Sequence, residues 1–588
     1  MEFLSKVKNA TPVFKSFFLT FFSATLLVLS YPDFELWFLA WFALIPLFIA
    51  IDLEKDSILK SALVGLIFGI IFYFGSCWWL TFAPITYAGF PSLLAYFLLF
   101  CAVAIVGLYS ALFAVLYALV LRRFSIWGIL SAPFLWTAIE FLRLWTSGNF
   151  WNSIGYSQAF SPFLIYGSIG GVFLVGFLVV SMNAWIVWRF KYLIYKKETD
   201  FSVIYPQNIA DTLKNIEFKL TDLINPKSGL YVINKSLYTI VPFLSLLVLT
   251  VLLTDYIIKK PIPFENSANA NVVAIQPNVP MAGLDIYKWE ALRSRQAKLA
   301  EEAIANPDFF GVSKRQANID ALPENMEKRT AFYKELALES FENDKKIVIL
   351  PESPMNFRYE EDPEFRTFIK DFASRNNVSV LFNSAEPDTG KKDGYFNSAV
   401  MVNERGEKIA QYNKIHLLPF GEYVPLPEGI EHLVPTMVGR YSAGNEYSLL
   451  PFGDAKAGIM ICFESHFPSL AREFVRNGAD VLVEMTNDGY LGNTPVLRQH
   501  LASATFRAVE TNRPVIRVTN VGITAFIDQQ GKILDEAKVY TEAARTWLVA
   551  KSDGKKTIYV RFGDWFAWLC VLISLFLCGL VFLEKAKK

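Results

Sequence analysis

Hydrophobic and polar positions divide the chain into two textures. Over 1–258, and again over 565–583, apolar residues run on with almost no charge between them. About 20 such residues at helical rise cross the roughly 30 Å of bilayer hydrocarbon. The pattern predicts eight spans, near 16–31, 35–51, 61–82, 92–121, 124–143, 164–188, 238–256 and 564–583. The stretch from Leu144 to Trp188 is uncharged for longer than one span needs. Its early part, TSGNFWNSIGYSQAFSP, is rich in Gly, Ser, Asn and aromatics and predicts an interfacial or re-entrant loop. No small-x-small cleavage site immediately precedes Tyr31-Pro32, so the first span reads as retained rather than as a cleaved leader.

From about 264 to 560 the period shortens to β-like runs separated by charged helical stretches. Strands are predicted at 271–275, 346–350, 378–383, 398–403, 457–462, 481–485, 515–519 and 524–528, several of them continuous Val/Ile/Leu runs of the kind buried on both faces. Amphipathic helices fit 288–305, 327–343, 363–376, 466–477 and 495–511, and Asp528–Lys532 reads as a hairpin turn. Strands inside and helices outside suit one α/β domain of about three hundred residues. Segments 191–237 and 301–333 read as insertions without an assigned role. The domain expectation is therefore 1–258 for the first seven spans, 259–563 for an outer domain, and 564–588 for the last span with its tail.

Composition sharpens this reading. Of 588 residues, 53% are hydrophobic and only 19% charged, against about 45–50% and 25% in soluble domains. A net charge of +1 without basic runs gives no sign of nucleic-acid binding. Lys6, Lys8, Lys15, Lys55, Lys60, Arg122, Arg123, Arg189, Lys191, Lys196, Lys197, Lys585, Lys587 and Lys588 all fall on one side of the predicted spans. The opposite loops, 32–34, 83–91 and 144–163, contain neither Lys nor Arg. The positive-inside rule then puts both termini in the cytoplasm and 259–563 outside, in the periplasm of a two-membrane bacterium. Glu140 and Arg143, at i,i+3 near a span end, read as a local ion pair. That leaves little mid-membrane charge for a transporter.

Cys77, Cys101, Cys570 and Cys578 lie in predicted spans, so Cys462 is alone in the outer domain, a candidate nucleophile in an oxidising compartment. It ends a small-and-branched strand and precedes a helical run, and a nucleophile at such a turn is exposed beside free N–H groups. Glu352 follows a second buried strand. Lys414 and Glu422 sit in the apolar loop YNKIHLLPFGE. Partial desolvation there tunes pKa. Glu, Lys and Cys would supply base, positive charge and nucleophile. A Cys–His pairing stays open, because His416, His432, His466 and His500 share the domain. No CxxC, HxxxH or HExxH pairing suggests a metal site.

The ordered trio Pro351-Glu352, Asn413-Lys414 and Cys462-Phe463-Glu464 resembles the Glu-Lys-Cys signature of the nitrilase superfamily. Coupled to eight spans, NKIHLLPFGEYVP, PFLWTAIEFLR and GYSQ, it is similar to the membrane-bound apolipoprotein N-acyltransferase family. The resemblance implies an α+β membrane protein: an eight-helix transmembrane region plus a nitrilase-like αββα sandwich domain. It implies Cys462 as acyl-accepting nucleophile, Glu352 as base, Lys414 as stabiliser of the tetrahedral intermediate, and Glu422 and Glu464 as supporting carboxylates. Trp289 would line the substrate entrance. It implies no cofactor, and as partners a phospholipid acyl donor, a diacylglyceryl apolipoprotein acceptor and the membrane. The chain departs from the family's usual Trp-Pro-Glu and Cys-Tyr-Glu with Leu350 and Phe463, which alters the pocket lining but removes no catalytic group. The apolar stretches 417–427 and 430–438 are expected to face lipid. A membrane-tethered amidase using the same trio is the nearest rival, and it would need a water-accessible pocket and no lipid acceptor.

Overall fold

The computed structural model describes residues 11–32, 34–148, 151–198, 245–246, 248–250, 270–281, 286–305, 345–352, 357–391, 394–419, 421–424, 441–549 and 551–583. Among these, four helical runs are long and apolar enough to cross a membrane: Trp37–Glu54, Ile58–Thr86, Ser92–Ser147 and Pro162–Leu193. Phe14–Leu29 and Trp565–Val581 are apolar but shorter. The run Ser92–Ser147 holds two of the predicted spans. Its first helix, Ser92–Phe124, ends at Ser125 with φ 50°, and a 3-10 stretch leads into Ala132–Ser147. Helices 58–77 and 92–124 pack at close range because Gly65 and Gly69 face Ser110 and Gly107. A Cβ on Gly65 would lie 2.3 Å from the Ser110 carbonyl oxygen. The predicted span 238–256 lies outside the described residues apart from 245–246 and 248–250, as do loop 199–237, helix 327–343 and most of 301–333.

Two sheets form the outer part. The first runs β13–β1–β2–β3–β4–β5, with β6 (Tyr441–Ser442) beside β4; the second runs β12–β11–β10–β9–β8–β7. In the first, β1 (Ala270–Gln276), β2 (Lys345–Ile349) and β3 (Ser379–Pro387) are parallel, while β4 (Tyr395–Val402), β5 (Lys408–Asn413) and β13 (Ala543–Val549) pair antiparallel. In the second, β8 (Ala455–Ile461), β9 (Val481–Thr486) and β10 (Val515–Thr519) are parallel, flanked by antiparallel β7 (Leu449–Phe452), β11 (Ala525–Ile527) and β12 (Ile533–Leu534).

Strand alternation sorts the core into layers. Val272, Ala274, Ile347 and Ile349 turn inward onto Ile459, Ile461 and Val483 of the second sheet. Val273, Ile275 and Val348 turn outward onto α1 (Ile286–Ala305) and α2 (Pro363–Asn376). On the far face of the second sheet lie α3 (Pro468–Arg476) and α4 (Val496–Thr511). This is the αββα sandwich. The eight predicted strands all form. The pattern missed β5, β6, β7 and β13, while β12 is the second arm of the predicted hairpin. The Asp528–Lys532 turn joins β11 to β12, with Lys532 O accepting from Asp528 N–H at 3.0 Å.

The sandwich is fastened to the membrane helices mainly through α4. Gln499 donates to the carbonyls of Pro32 and Ser76 at 3.0 Å each and accepts from the indole N–H groups of Trp79 (3.2 Å) and Trp151 (2.8 Å). Glu510 accepts from Val172 N–H at 3.0 Å, beside the break at Gly170–Gly171 in the helix Gly167–Glu198. Arg498 pairs with Glu35 at 2.6 Å. The predicted re-entrant loop packs into this seam as short 3-10 turns, Ile154–Gln158 and Pro162–Tyr166. Glu140 and Arg143 serve that loop rather than each other. Glu140 accepts from the Ser153 hydroxyl (2.7 Å) and Ile154 N–H (2.8 Å), and Arg143 donates to Trp151 O at 3.0 Å. The expected local ion pair is thus replaced by two hydrogen-bond anchors.

Candidate active site

Three strand ends converge on one point. β8 terminates at Ile461, and Cys462 follows with φ 53°, a left-handed conformation that costs a non-glycine residue roughly 1–2 kcal/mol. It opens the 3-10 turn Cys462–His466, after which α3 begins at Pro468, so the predicted strand-to-helix turn is present with the Cys462 thiol at the bend. Glu352 follows β2. Its Oε1 accepts from Asn397 Nδ2 at 3.0 Å and its Oε2 from Asn487 N–H at 3.1 Å. Lys414 follows β5 and is 1% exposed, with Nζ 2.9 Å from the Glu422 carboxylate.

Two carboxylates hold this arrangement. Glu422 Oε1 accepts from both Lys414 Nζ and Asn397 Nδ2 (2.6 Å), so Asn397 bridges Glu422 to Glu352. Glu422 Oε2 accepts from Leu418 N–H at 2.8 Å. Glu464 is fully buried and takes four donors: Tyr412 O–H (2.8 Å), Ile415 N–H (2.8 Å), His416 N–H (3.0 Å) and Ile461 N–H (2.8 Å). It therefore staples the Lys414 loop of the first sheet to the Cys462 turn of the second.

The electrostatics follow from burial. Burial, then the Glu352 charge, push the Cys462 thiol well above its ordinary range, against the pull of Lys414. Burial also raises Glu352, with Lys414 opposing and Glu422 adding to the rise. For Lys414, burial works against the ammonium but the neighbouring Glu422, Glu352 and Cys462 outweigh it, and the net shift is upward. The site thus rests with a neutral thiol beside a carboxyl of raised affinity for a proton and a firmly cationic lysine. Burial carries Glu464 up to about 7 despite its donors.

Of the residues singled out by sequence, Glu352, Lys414, Cys462, Glu422 and Glu464 come together in one network. Trp289 stands on the first turn of α1, 37% exposed, and takes no part in the network among the described residues. His500 Nε2 reaches the carbonyl oxygen of Cys462 at 3.1 Å rather than its thiol. His466 stacks on Trp151 at 3.7 Å between ring centres and His416 on Phe467 at 4.0 Å. His432 lies outside the described residues, as do 420, 425–427 and all of 430–438. Among the described residues no cluster of His, Cys, Asp and Glu has the grouping to hold a metal ion.

Sequence reasoning passed over Asn397, Asn487, Asp488 and Arg517, and weighed His500 only as one of four candidate partners for the thiol. A signal existed for the first. The tetrapeptide Phe-Asn-Ser-Ala occurs twice, at 382–385 and 396–399, placing an Asn inside each of two apolar strand runs that pair antiparallel. Asn383 Nδ2 donates to Asn397 Oδ1 at 2.7 Å, orienting the amide that faces Glu352 and Glu422.

The membrane helices close over this point. Trp151 stacks on Phe463 (6.1 Å) and His466, and Tyr87 donates to Gly489 O at 3.1 Å while its ring meets Tyr490 edge-on. A Glu-Lys-Cys site at the strand ends of an αββα sandwich, set against apolar helices, defines a membrane-attached carbon-nitrogen hydrolase domain. The carbon-nitrogen hydrolase profile matches residues 275–555, and the profile of the apolipoprotein N-acyltransferase N-terminal domain matches residues 23–185. The chain belongs to the apolipoprotein N-acyltransferase family. It is 28% identical to the apolipoprotein N-acyltransferase of Geobacter metallireducens over 97% of this chain and 96% of that one. It is also 28% identical to the Pasteurella multocida protein of the same name, over 96% and 94%. Among solved structures, Nit3 of Saccharomyces cerevisiae, a nitrilase-superfamily member, aligns with 48% of this chain and 90% of its own at 20% identity and a TM-score of 0.30.

Proposed function

We propose that this chain is an apolipoprotein N-acyltransferase, moving an acyl chain from a phospholipid to the N-terminal cysteine of a diacylglyceryl lipoprotein through a thioester on Cys462. In the first half, Glu352 takes the Sγ proton as sulfur attacks the sn-1 ester carbonyl. The oxyanion forms near Lys414 Nζ and backbone N–H groups. As the ester C–O bond breaks, Glu352 returns the proton to the departing lysophospholipid. In the second half, the acceptor's α-amino group attacks the thioester, an amide forms, the C–S bond breaks, and the amine's proton passes through Glu352 back to sulfur. Splitting one hard transfer into two steps is what covalent catalysis supplies. A raised Cys462 and a raised Glu352 suit this scheme, because the thiol keeps its proton until attack and the carboxyl's affinity for that proton is increased. Lys414, held by the Glu422 carboxylate at 2.9 Å, supplies fixed positive charge where the oxyanion develops.

The observation that carries the reading is the seam between Cys462 and the membrane helices. The residue after the nucleophile stacks on Trp151, and the neighbouring Gly489–Tyr490 turn is met by Tyr87. Each CH₂ drawn from lipid into water would cost about 0.8 kcal/mol, so lipid-anchored substrates favour a site at the bilayer surface. In the arrangement we propose, eight helices span the inner membrane, both termini face the cytoplasm and residues 259–563 form the periplasmic catalytic domain. Trp289 lies toward the substrate entrance.

The test is intact-protein mass spectrometry after incubating the purified protein with phosphatidylethanolamine vesicles and no acceptor. A long-chain acyl mass, absent in Cys462→Ser and released by a diacylated lipopeptide, is expected. An unmodified thiol together with free fatty acid would replace the transferase with a hydrolase.

A further inference from the structure

Beneath Cys462 lies a second cluster of ionisable groups that the scheme above does not use. His500 projects from α4 with both ring nitrogens engaged. Nδ1 is 2.8 Å from Asp488 Oδ1, and Nε2 is 2.9 Å from Glu484 Oε1 and 3.1 Å from the Cys462 carbonyl oxygen. All three partners are acceptors. A neutral imidazole has one N–H and would leave a lone pair facing an oxygen on one side, so only the doubly protonated ring satisfies this setting. Across the cluster Arg517 pairs with Glu484 at 2.5 Å and with Asp488 at 2.7 Å. With His500 charged, the four buried groups sum to zero. With it neutral, they leave one uncompensated buried negative charge, an expensive state. The remaining titratable group against the ring is His466, 5.0 Å away between ring centres.

The carbonyl that His500 meets belongs to the peptide joining Cys462 to Phe463, at the point where the backbone takes its left-handed turn. The N–H of that peptide opens the 3-10 turn, where first-turn donors lack an acceptor within the turn. A cation hydrogen-bonded to a peptide oxygen polarises the amide and strengthens its N–H as a donor. We propose that His500 is a positioning residue: as an imidazolium clamped by Asp488 and Glu484, it fixes the Cys462 carbonyl and sharpens the Phe463 N–H as a donor to the oxyanion formed when Cys462 is acylated. The inference rests on the acyl-enzyme reading given above. The balance between the two acidic neighbours and opposing burial and Arg517 holds the ring's pKa near 9. Acylation therefore loses rate as pH rises through about 9 and the ring against the Cys462 carbonyl loses its charge.

The experiment is single-turnover acylation of the full-length protein by phosphatidylethanolamine vesicles, followed by intact mass from pH 6.5 to 10.5, with thermal melting of each variant in parallel. His500→Gln retains a neutral amide in place of the ring. It is expected to acylate about tenfold or more slowly at saturating donor with an unchanged KM, and to lose the alkaline decline of the wild type. Asp488→Asn keeps the packing but removes one clamp, and is expected to move that decline to lower pH. A merely structural role would lower melting and leave both the rate per folded molecule and the pH profile as in the wild type; either result would overturn the proposal. Absence of any acyl adduct on wild-type protein would instead overturn the acyl-enzyme reading, so the two failures are distinct.

Discussion

The two outer helices of the sandwich, α2 and α4, occupy equivalent layers and are built on opposite rules. Along α2, only Phe365, Ile369, Phe372 and Ala373 are buried, a single stripe at helical spacing with charge on the remainder. Along α4 every residue except Arg498 is buried, including His500, Arg507 and Glu510. The second sheet covers one of its faces and the membrane helices cover the other. A helix buried all round has nowhere to place polar groups except against one another. Its charges accordingly become anchors: Arg507 pairs with Glu510 at 2.7 Å and donates to Ser465 O at 3.2 Å, while Glu510 holds Val172 N–H. The solvent-side layer stabilises the sandwich, whereas the membrane-side layer stabilises it and also grips the Cys462–His466 turn.

That contrast can be broken most sharply at the site. Glu352→Gln is expected to lower single-turnover acylation by about 10²–10⁴-fold with little change in melting, and Lys414→Met to lower it as far while also lowering melting, because Glu422 is left buried without its cation. Phe372→Ala on α2 should do the reverse. It should cost about 3–5 kcal/mol of stability while the surviving folded protein acylates at the wild-type rate. A loss of rate per folded molecule in Phe372→Ala would dissolve the distinction between the layers.

Arg507→Met tests the membrane-side anchor. Removing one partner of a buried pair leaves Glu510 uncompensated and is expected to cost about 3–5 kcal/mol, read as a lowered melting temperature in detergent. Burial already holds Glu510 up to about 7 even with Arg507 beside it. The variant should therefore recover part of its stability below pH 6, where the carboxyl can protonate, and a pH-independent deficit would contradict this.

Melting against pH separates the layers next. The raised pKa of His500, about 9 against an ordinary value near 6.5, contributes stability that is fully present below pH 6.5 and lost as pH rises through 9. Glu464 and Glu510, both raised to about 7, contribute in the same sense, present below their ordinary range near pH 4.3 and lost as pH rises through 7. The full-length protein should thus melt at a lower temperature at pH 9.5 than at pH 6. His500→Gln should flatten the upper part of that fall. The smallest effect is expected at Arg375→Ala on α2, whose pair with Glu301 is open to solvent and worth under about 0.5 kcal/mol. A drop approaching that of Arg507→Met would show that exposure is not what separates the two helices.

Local chemistry made much of this legible from residue order. Continuous branched runs announced the buried parallel strands. Polar groups stranded at their ends, Glu352 and Cys462, announced the site, because a charged or reactive group just past an apolar strand has no place in a core. Asn397 was hidden by its neighbours: one amide in a β-run looks like a tolerated polar residue until the strand beside it places Asn383 on its oxygen. Glu140 and Arg143 misled for the same reason, since i,i+3 spacing suggests a pair while the fold offers each a better partner in the 151–154 loop.

Sequence by itself determined the apolar helices, the layered α/β domain and the identity of the groups able to do acyl chemistry, since periodicity and side-chain type are local properties. Tertiary structure alone decided which histidine meets Cys462 and on which atom, that Glu464 ties the two sheets together, and that α4 is sandwiched between the catalytic sheet and the membrane helices. Those outcomes depend on hydrogen bonds between residues tens to hundreds of positions apart, from 38 between Cys462 and His500 to 467 between Pro32 and Gln499. No local pattern encodes a partner at that distance, and only burial makes satisfying it obligatory.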